Sequence, residues 1–381
     1  MGAPAADRAA RASGELNARS AAAQWSLASL NVTLNADGGL TLVANASLQT
    51  TMLSILVPSV AFSRSTSVSG SNAPGASANV ENACIFTMGE DLEVASNTMT
   101  FNGSPNVMLS GCSLRSNKSM KCNGGSTDAQ TFAVGSIVGC SNPHGGQPAV
   151  PDVYASLAGN ISFLCGANAN GYLWTAGNAL PAPVPNALIS VPRSGYTELH
   201  VCGTLTLAGD ANHSLTGAAP ASDTVVIIEN GKIVLSDSAY VSAVKTTFVL
   251  AGGGASTLVE FPNGAGKSAT LDVSASTAAS NPWKGVAIYQ NPSVQTGVDT
   301  TWKPGATLSL SGVVYFPNAW LTVQGNIVAG AAACAKIVAG EFTLNGAVNL
   351  QQSSQACADA AVTQYVFPDA SAGAANIRIT Q

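Results

Sequence analysis

The residues able to do chemistry are few and scattered. Eight cysteines (Cys84, Cys112, Cys122, Cys140, Cys165, Cys202, Cys334 and Cys357) and three histidines (His144, His200 and His213) stand among 381 residues. None of the cysteines forms C-x-x-C, and the histidines are far apart. Zinc and iron–sulfur centres need clustered thiolates or imidazoles, so neither a metal site nor a cofactor is expected. An even set of unclustered cysteines points instead to four disulfides formed in an oxidising compartment. Sequence proximity suggests the pairs Cys84–Cys112, Cys122–Cys140, Cys165–Cys202 and Cys334–Cys357.

The carboxylates do not assemble a reaction either. Glycoside hydrolysis needs two carboxyl groups at a defined separation, and calcium-assisted elimination needs several acidic oxygens around one ion plus a base. The twenty acidic residues are thinly spread. The nearest approaches are Glu90/Asp91/Glu93, Glu229 near Asp223, and Asp237, all read as solvated loop acids. Between residues 81 and 381 the arginines are Arg115, Arg193 and Arg378 only. No G-x-S-x-G elbow occurs. His144 sits in a turn, Asn142-Pro143-His144-Gly145-Gly146, and His200 should face outward from its strand. Gly264-Ala265-Gly266-Lys267-Ser268 lacks the first glycine of a phosphate loop, because Phe261 holds that place. No catalytic residue is assigned, and the expectation is a protein that is not an enzyme.

Aromatic residues offer the remaining chemistry. Trp283, Tyr289, Trp302, Tyr315 and Trp320, with Phe316 among them, are dense in one segment. Such rings bury large area at low entropic cost and are favoured at interfaces. They form a candidate interaction patch for a protein partner or a surface glycan; the competing reading has them fill the corners of the core. A net charge of −5 without a basic run excludes a nucleic-acid groove.

These residues must be carried by β-structure. Charged residues make up 9% of the chain and apolar residues 46%, against about 25% charged in ordinary soluble domains. The polar surface is therefore built from Ser, Thr, Asn and Gln. Residues 5–30 are rich in Ala and Arg and read as one helix, with Leu16, Ala23, Leu27 and Leu30 on one face. Asn31–Asn35, Leu40–Leu48 and Phe62–Val68 then alternate with a period of two, and Asp37-Gly38-Gly39 makes the first turn. Residues 71–80 fall in a small-residue linker.

Beyond it a short pattern recurs: apolar, any, apolar, any, glycine. It stands at Met99–Gly103, Val107–Gly111, Leu199–Gly203, Leu205–Gly209, Phe248–Gly252, Leu308–Gly312, Leu321–Gly325 and Phe342–Gly346. Each repeat turns two apolar side chains to one face and ends at a residue that tolerates a corner. Strands this short favour a right-handed parallel β-helix, a solenoid, over residues 81–381; a β-sandwich is the alternative. The fold class is thus mainly β, preceded by a helix plus a small antiparallel sheet over residues 1–70. Cys334 and Cys357 are about one rung apart on the ~20–50-residue scale of solenoid repeats. A bridge there would tie rungs near an open C-terminal end that needs capping.

The start of the chain resembles the TadE/TadG-like proteins of bacterial Flp (Tad) pilus assembly. An Ala-rich helix runs into NVTLN, LTLVANASLQTTMLSILVPSV and AFSRSTSV, similar to that family's order of elements. Blocks around Ala83-Cys84-Ile85, Leu109-Ser110-Gly111-Cys112 and Ser116-Asn117-Lys118-Ser119 resemble the middle of the family. Gly285–Gln290, Gly312–Pro317, Gly325-Asn326 and the Cys334/Cys357 pair resemble its C-terminal half. The resemblance implies a minor pilin or accessory protein, periplasmic or extracellular, whose partners are other pilus or envelope proteins. It also implies anchoring in the inner membrane by an N-terminal helix. That membrane segment is absent from the residues in hand, since no stretch reaches the ~18 apolar residues of a span.

Overall fold

The fold is that of a computed structural model. It describes residues 25–34, 40–49, 59–68, 80–81 and 83–366, the last with breaks at 90–96, 104–105, 124–128, 176–182, 209–212, 215–222, 253–257, 264–265, 295–297, 330–332 and 364. The chain divides into two compact units, Met1–Val80 with Val366–Gln381, and Glu81–Tyr365.

In the first unit, Trp25–Leu34, Leu40–Gln49 and Ser59–Val68 form a three-stranded antiparallel sheet. The alternation over residues 31–34, 40–48 and 62–68 appears here as strand pairing. The helix expected over 5–30 is corrected at its C-terminal end, because Trp25–Leu30 already belongs to the first strand. The register shifts between Leu27 and Ser29. A bulge adds a residue to one strand and resets its period of two, so the apolar spacing that suggested a helical face coincides with a bulge. Residues 5–24 of the expected helix, and all of the expected linker except Val80, lie outside the described residues.

The second unit is mainly β and its large sheet is rich in parallel pairs. Its strands line up in three ladders. In the first, one inward column runs Leu199, Val226, Phe248, Ile288, Val314, Ile337, Ile85 and Leu114, each in parallel register with the next. The second ladder contains Tyr172–Thr175, Leu205–Ala208, Ile233–Leu235 and Val259–Glu260. Beyond a break it continues through Val298–Trp302, residues 319–323, residues 341–344, Asn97–Asn102 and Ser119–Asn123. The third contains Tyr240–Ala243, Ala269–Ser274, residues 306–311, Asn326–Ala329, Ala347–Gln351 and Asn106–Ser110. Inward residues of all three meet in one hydrophobic core. Antiparallel pairing among the described strands of this unit is confined to Leu188–Arg193 against Tyr196–Cys202 and the bridge Val184–Leu188. A sandwich is built of antiparallel sheets, whereas the large sheet here is rich in parallel pairs.

The glycine rule of the sequence has a steric cause at the corners. A Cβ on Gly325 would collide with the carbonyl oxygen of Ala306, one strand away in the stack. Gly312 has φ +128° and faces the Ala275 side chain, so its backbone conformation also favours glycine.

The stacking order differs from the chain order. The strands Ala335–Leu344 and Ala347–Gln351 do not end the stack; Ala83–Thr87, Asn97–Asn102 and Asn106–Ser110 pair onto them in parallel. The expectation of an open C-terminal end is therefore corrected. That edge is covered by an earlier stretch of the same unit, and the chain leaves it through the short helix Ser354–Asp359. Cys334–Cys357 ties that helix to the start of the strand Ala335–Leu344. Buried Gln352 closes the junction: its backbone N–H donates to Ser110 O at 3.0 Å and its Oε1 accepts from Ala335 N at 3.1 Å.

Gly325→Ala is expected to lower unfolding stability by about 1–3 kcal/mol, the usual cost of forcing atoms into a packed site. Gly159→Ala, where an added Cβ meets nothing within 4 Å, should stay near neutral. Denaturant midpoints of the two variants measure the difference.

Candidate functional site

Every parallel ladder has a second, outward face, and in the first ladder that face is also buried. Its central column runs His200, Ile227, Val249, Tyr289, Tyr315, Val338, Phe86 and Arg115 in continuous register. All of these are at most 2% exposed. The cover is residues 148–165, a strap that runs back along the column. Arg115 donates to Pro148 O at 2.8 Å, and Asn117 exchanges two hydrogen bonds with Val150. Tyr315 donates to Asp152 at 2.6 Å, and Tyr289 donates to Tyr154 O at 3.2 Å. The strap ends at Cys165, bonded to Cys202.

The aromatic segment is explained by this strap and by the core. Tyr289 stacks on Tyr315 with centroids 4.8 Å apart, Trp283 meets Tyr289 edge-on, and Tyr154 of the strap tilts against Tyr315. Trp302 turns inward, between Phe261 and Phe316. Trp283, Tyr289, Trp302 and Tyr315 are thus buried, and Trp320 alone of the five is exposed, at 47%. An exposed patch made of all five is corrected: burying large rings under the strap and in the corners removes more apolar surface from water than displaying them.

A polar cluster sits at the far end of the strap. His200 alternates with core residues Leu199 and Val201 and does face away from the core, yet it is fully buried. Its Nδ1 lies 2.9 Å from Glu229 Oε1, and its Nε2 lies 3.4 Å from Glu198 Oε2. Glu198 also accepts from Arg193 at 2.7 and 2.9 Å and from Tyr196 at 3.2 Å. Glu229 accepts from the backbone N–H of Leu164 at 2.9 Å and of Cys165 at 3.1 Å. Burial by itself would raise the Glu229 carboxyl. The hydrogen bond from His200, those from Leu164 and Cys165, and the charge of His200 together outweigh it and hold the group below its ordinary value.

Glu229 and Asp223 are therefore corrected from solvated loop acids to buried ones, with Asp223 accepting from Ser276. Asp237 is exposed and accepts from the Ser268 N–H at 3.2 Å. Glu90, Asp91, Glu93 and the side chain of His213 lie outside the described residues. His144 is exposed and stacks on Phe132 at 4.9 Å. Among the described residues no group of His, Cys, Asp and Glu is arranged to hold a metal ion; the one hydroxyl of the strap at the His200 cluster, Ser162, donates to Glu198 at 3.4 Å. Its arrangement does one thing chemically: two carboxylates, an imidazole and a guanidinium hold the end of the strap.

Lys336 is a second buried ionisable group. It is fully buried and donates to Thr363 O at 2.7 Å, and burial pushes its ammonium down to about 7. Sequence reasoning missed both groups. Glu198 and His200 share an outward face by alternation, but their meeting with Glu229 needs the parallel register.

All eight cysteines are paired, as Cys84–Cys112, Cys122–Cys140, Cys165–Cys202 and Cys334–Cys357. Four disulfides indicate an oxidising environment, extracellular or periplasmic. No helix among the described residues is long and apolar enough to cross a membrane. The chain matches no protein-family model, no curated protein and no solved structure.

Two measurements test the buried charges. The depressed Glu229 carboxyl contributes stability above the ordinary carboxylate range, and that stability is lost as pH falls through its lowered folded value. Glu229→Gln is expected to cost about 1–3 kcal/mol and to speed hydrogen exchange at Leu164 and Cys165, with less further loosening in acid than the native protein shows. Lys336 works over another range. The unfolded chain binds more protons there between about 7 and 10.5, so stability rises with pH across that window. Lys336→Met should be the more stable form at neutral pH, with the gap narrowing by about 1.4 kcal/mol per pH unit towards pH 9, read from unfolding curves.

Proposed function

We propose that the chain is a non-enzymatic structural or accessory component of a cell-envelope or extracellular assembly, of the minor-pilin kind found in Tad/Flp pili. Its second unit is a parallel β-helix wound right-handed, the hand that parallel crossovers adopt almost without exception. The observation that carries this reading is the strap. A chain segment spends Asp152, Tyr154 and the Cys165–Cys202 bond on closing one face of a rod. Groups with catalytic capacity, such as His200, Glu229 and Lys336, are buried where substrate does not reach. Rigidity without an open reactive centre suits a part that bears load or presents a surface. The resemblance of its sequence blocks, in order, to TadE/TadG-like proteins suggests the pilus context, and the four disulfides suit a body outside the cytoplasm.

The test is fractionation of the source cells. The protein is expected in sheared pili or in the envelope fraction, with its four disulfides intact on non-reducing mass mapping, and lost from that fraction when pilus assembly is blocked. Recovery as a soluble cytosolic protein with free thiols would sink the proposal. Unchanged recovery in a strain without pili would remove the pilus part of it.

A further inference from the structure

The outward face of the second ladder has hydrogen-bonding groups that the fold does not use. Thr301, Thr322, Thr343 and Thr100 follow one another in register on four successive strands, and Lys121 continues the column. All four threonines are half-buried, and none of their hydroxyls has a hydrogen-bond partner among the described residues. Adjacent strands lie about 4.7–4.9 Å apart, so these hydroxyls form a regular row. Exposed Trp320 stands two residues from Thr322 on one strand and therefore on the same face. Its in-register neighbours are Asp299 and Glu341, and Glu341 is half-buried and without an ion-pair partner among the described residues. On the other side of the row, alternation places Gln324, Asn345 and Asn102, and Asn123 donates to Asn102 at 2.9 Å.

One end of the row opens on a cleft of about 320 Å³ lined by Glu260, Phe261, Asn263, Thr300, Thr301 and Lys303. The cleft marks the break in the second ladder. Val259–Glu260 and Val298–Trp302 belong to different sheets there, joined by a hydrogen bond from Trp302 Nε1 to Val259 O at 3.2 Å. Thr300 pairs in register with core residue Leu321 and is 3% exposed, so it belongs to the inward side, and Thr301 is the cleft residue that begins the outward row.

The charges on this face do not select an ion. Glu260 is paired with Lys232 at 2.6 Å, and Lys303 and Lys121 are interspersed with Asp299 and Glu341. A nucleic acid or an acidic polymer would find no basic run, and a basic peptide no acidic one. An uncharged partner rich in hydroxyls fits better: it can exchange hydrogen bonds with Thr, Asn and Gln at each step and lay an apolar ring face on Trp320. We infer that this face binds a neutral polysaccharide, with one sugar unit in the cleft beside Thr301 and the chain following the threonine row past Trp320. The inference stands apart from the pilus reading, since it rests on this face alone.

The experiment is retention of the whole protein on insoluble cellulose, chitin, starch and β-1,3-glucan, followed by affinity measurement on whichever retains it. Trp320→Ala and Thr343→Lys are the variants; both positions are outward-facing, and their unfolding temperatures are recorded to show that they fold. The native protein is expected to bind at least one of these polymers, in about 0.5 M NaCl as well as at low salt, because a neutral partner is not screened. Each variant should bind at least about tenfold more weakly with its unfolding temperature unchanged. Retention on none of the polymers, equal binding by both folded variants, or binding confined to acidic polysaccharide and abolished by salt would each overturn the inference.

Discussion

Parallel register is the constraint on which the rest depends. A parallel strand cannot be reached by a hairpin; the chain must travel round before it pairs again. In this protein it does so by way of the other two ladders, so each return places the same kind of residue one strand further along. Leu199, Val226, Phe248 and Ile288 are successive visits to one inward position. The same step builds the outward columns, apolar in the first ladder and polar in the second. Corners must be tight enough to bring carbonyls of neighbouring strands nearly into contact, and the recurrent glycines answer that demand.

A stack assembled this way has a routing problem when its chain order is broken. Residues 83–144 stack beyond residues 335–351, while the strand Tyr172–Thr175 opens the second ladder at the opposite end. The connection between them must cross most of the stack. Nine steps separate the strand of His144 from that of His200 in the first ladder, roughly 43 Å at about 4.8 Å per step. Residues 148–165 cover seven of those steps, from Arg115 to the strand of His200 and roughly 34 Å, as extended chain on either side of one 3-10 helix, Ala155–Asn160. Their course decides which ladder face is closed. It explains why one outward column is Ile, Val and Tyr and why the ionisable groups of Glu198, His200 and Glu229 are buried where the strap ends.

The disulfides follow the same geometry. Cys84–Cys112 and Cys122–Cys140 each span one parallel step within residues 81–144. Cys165–Cys202 fixes the strap, and Cys334–Cys357 fixes the exit helix. Bonds therefore sit where a passive ladder is weakest: in the short strands at one end, at the end of the return path, and where the chain leaves the stack. Low charge is tolerated because the surface displays hydroxyls and amides in rows, and these stay hydrated without ion pairs.

Much of this was legible in the residues. The alternation with period two, the glycine punctuation and the unclustered cysteines depend on local chemistry, and they determined a β-rich, disulfide-bonded protein with short strands. The cysteine pairs were readable because each joins residues brought near by one turn of chain. Other features were not readable. The break in stacking order, the strap and the fate of the aromatics depend on which strand pairs with which across the whole unit. Period-two alternation assigns a residue to a side but does not say whether that side meets water or another segment. His200 shows the distinction: its sequence placed it facing away from the core, and only the tertiary structure decided that the strap and Glu229 would meet it there. Thr301, Thr322, Thr343 and Thr100 show it again, as separate threonines in the sequence that become one row through long-range register.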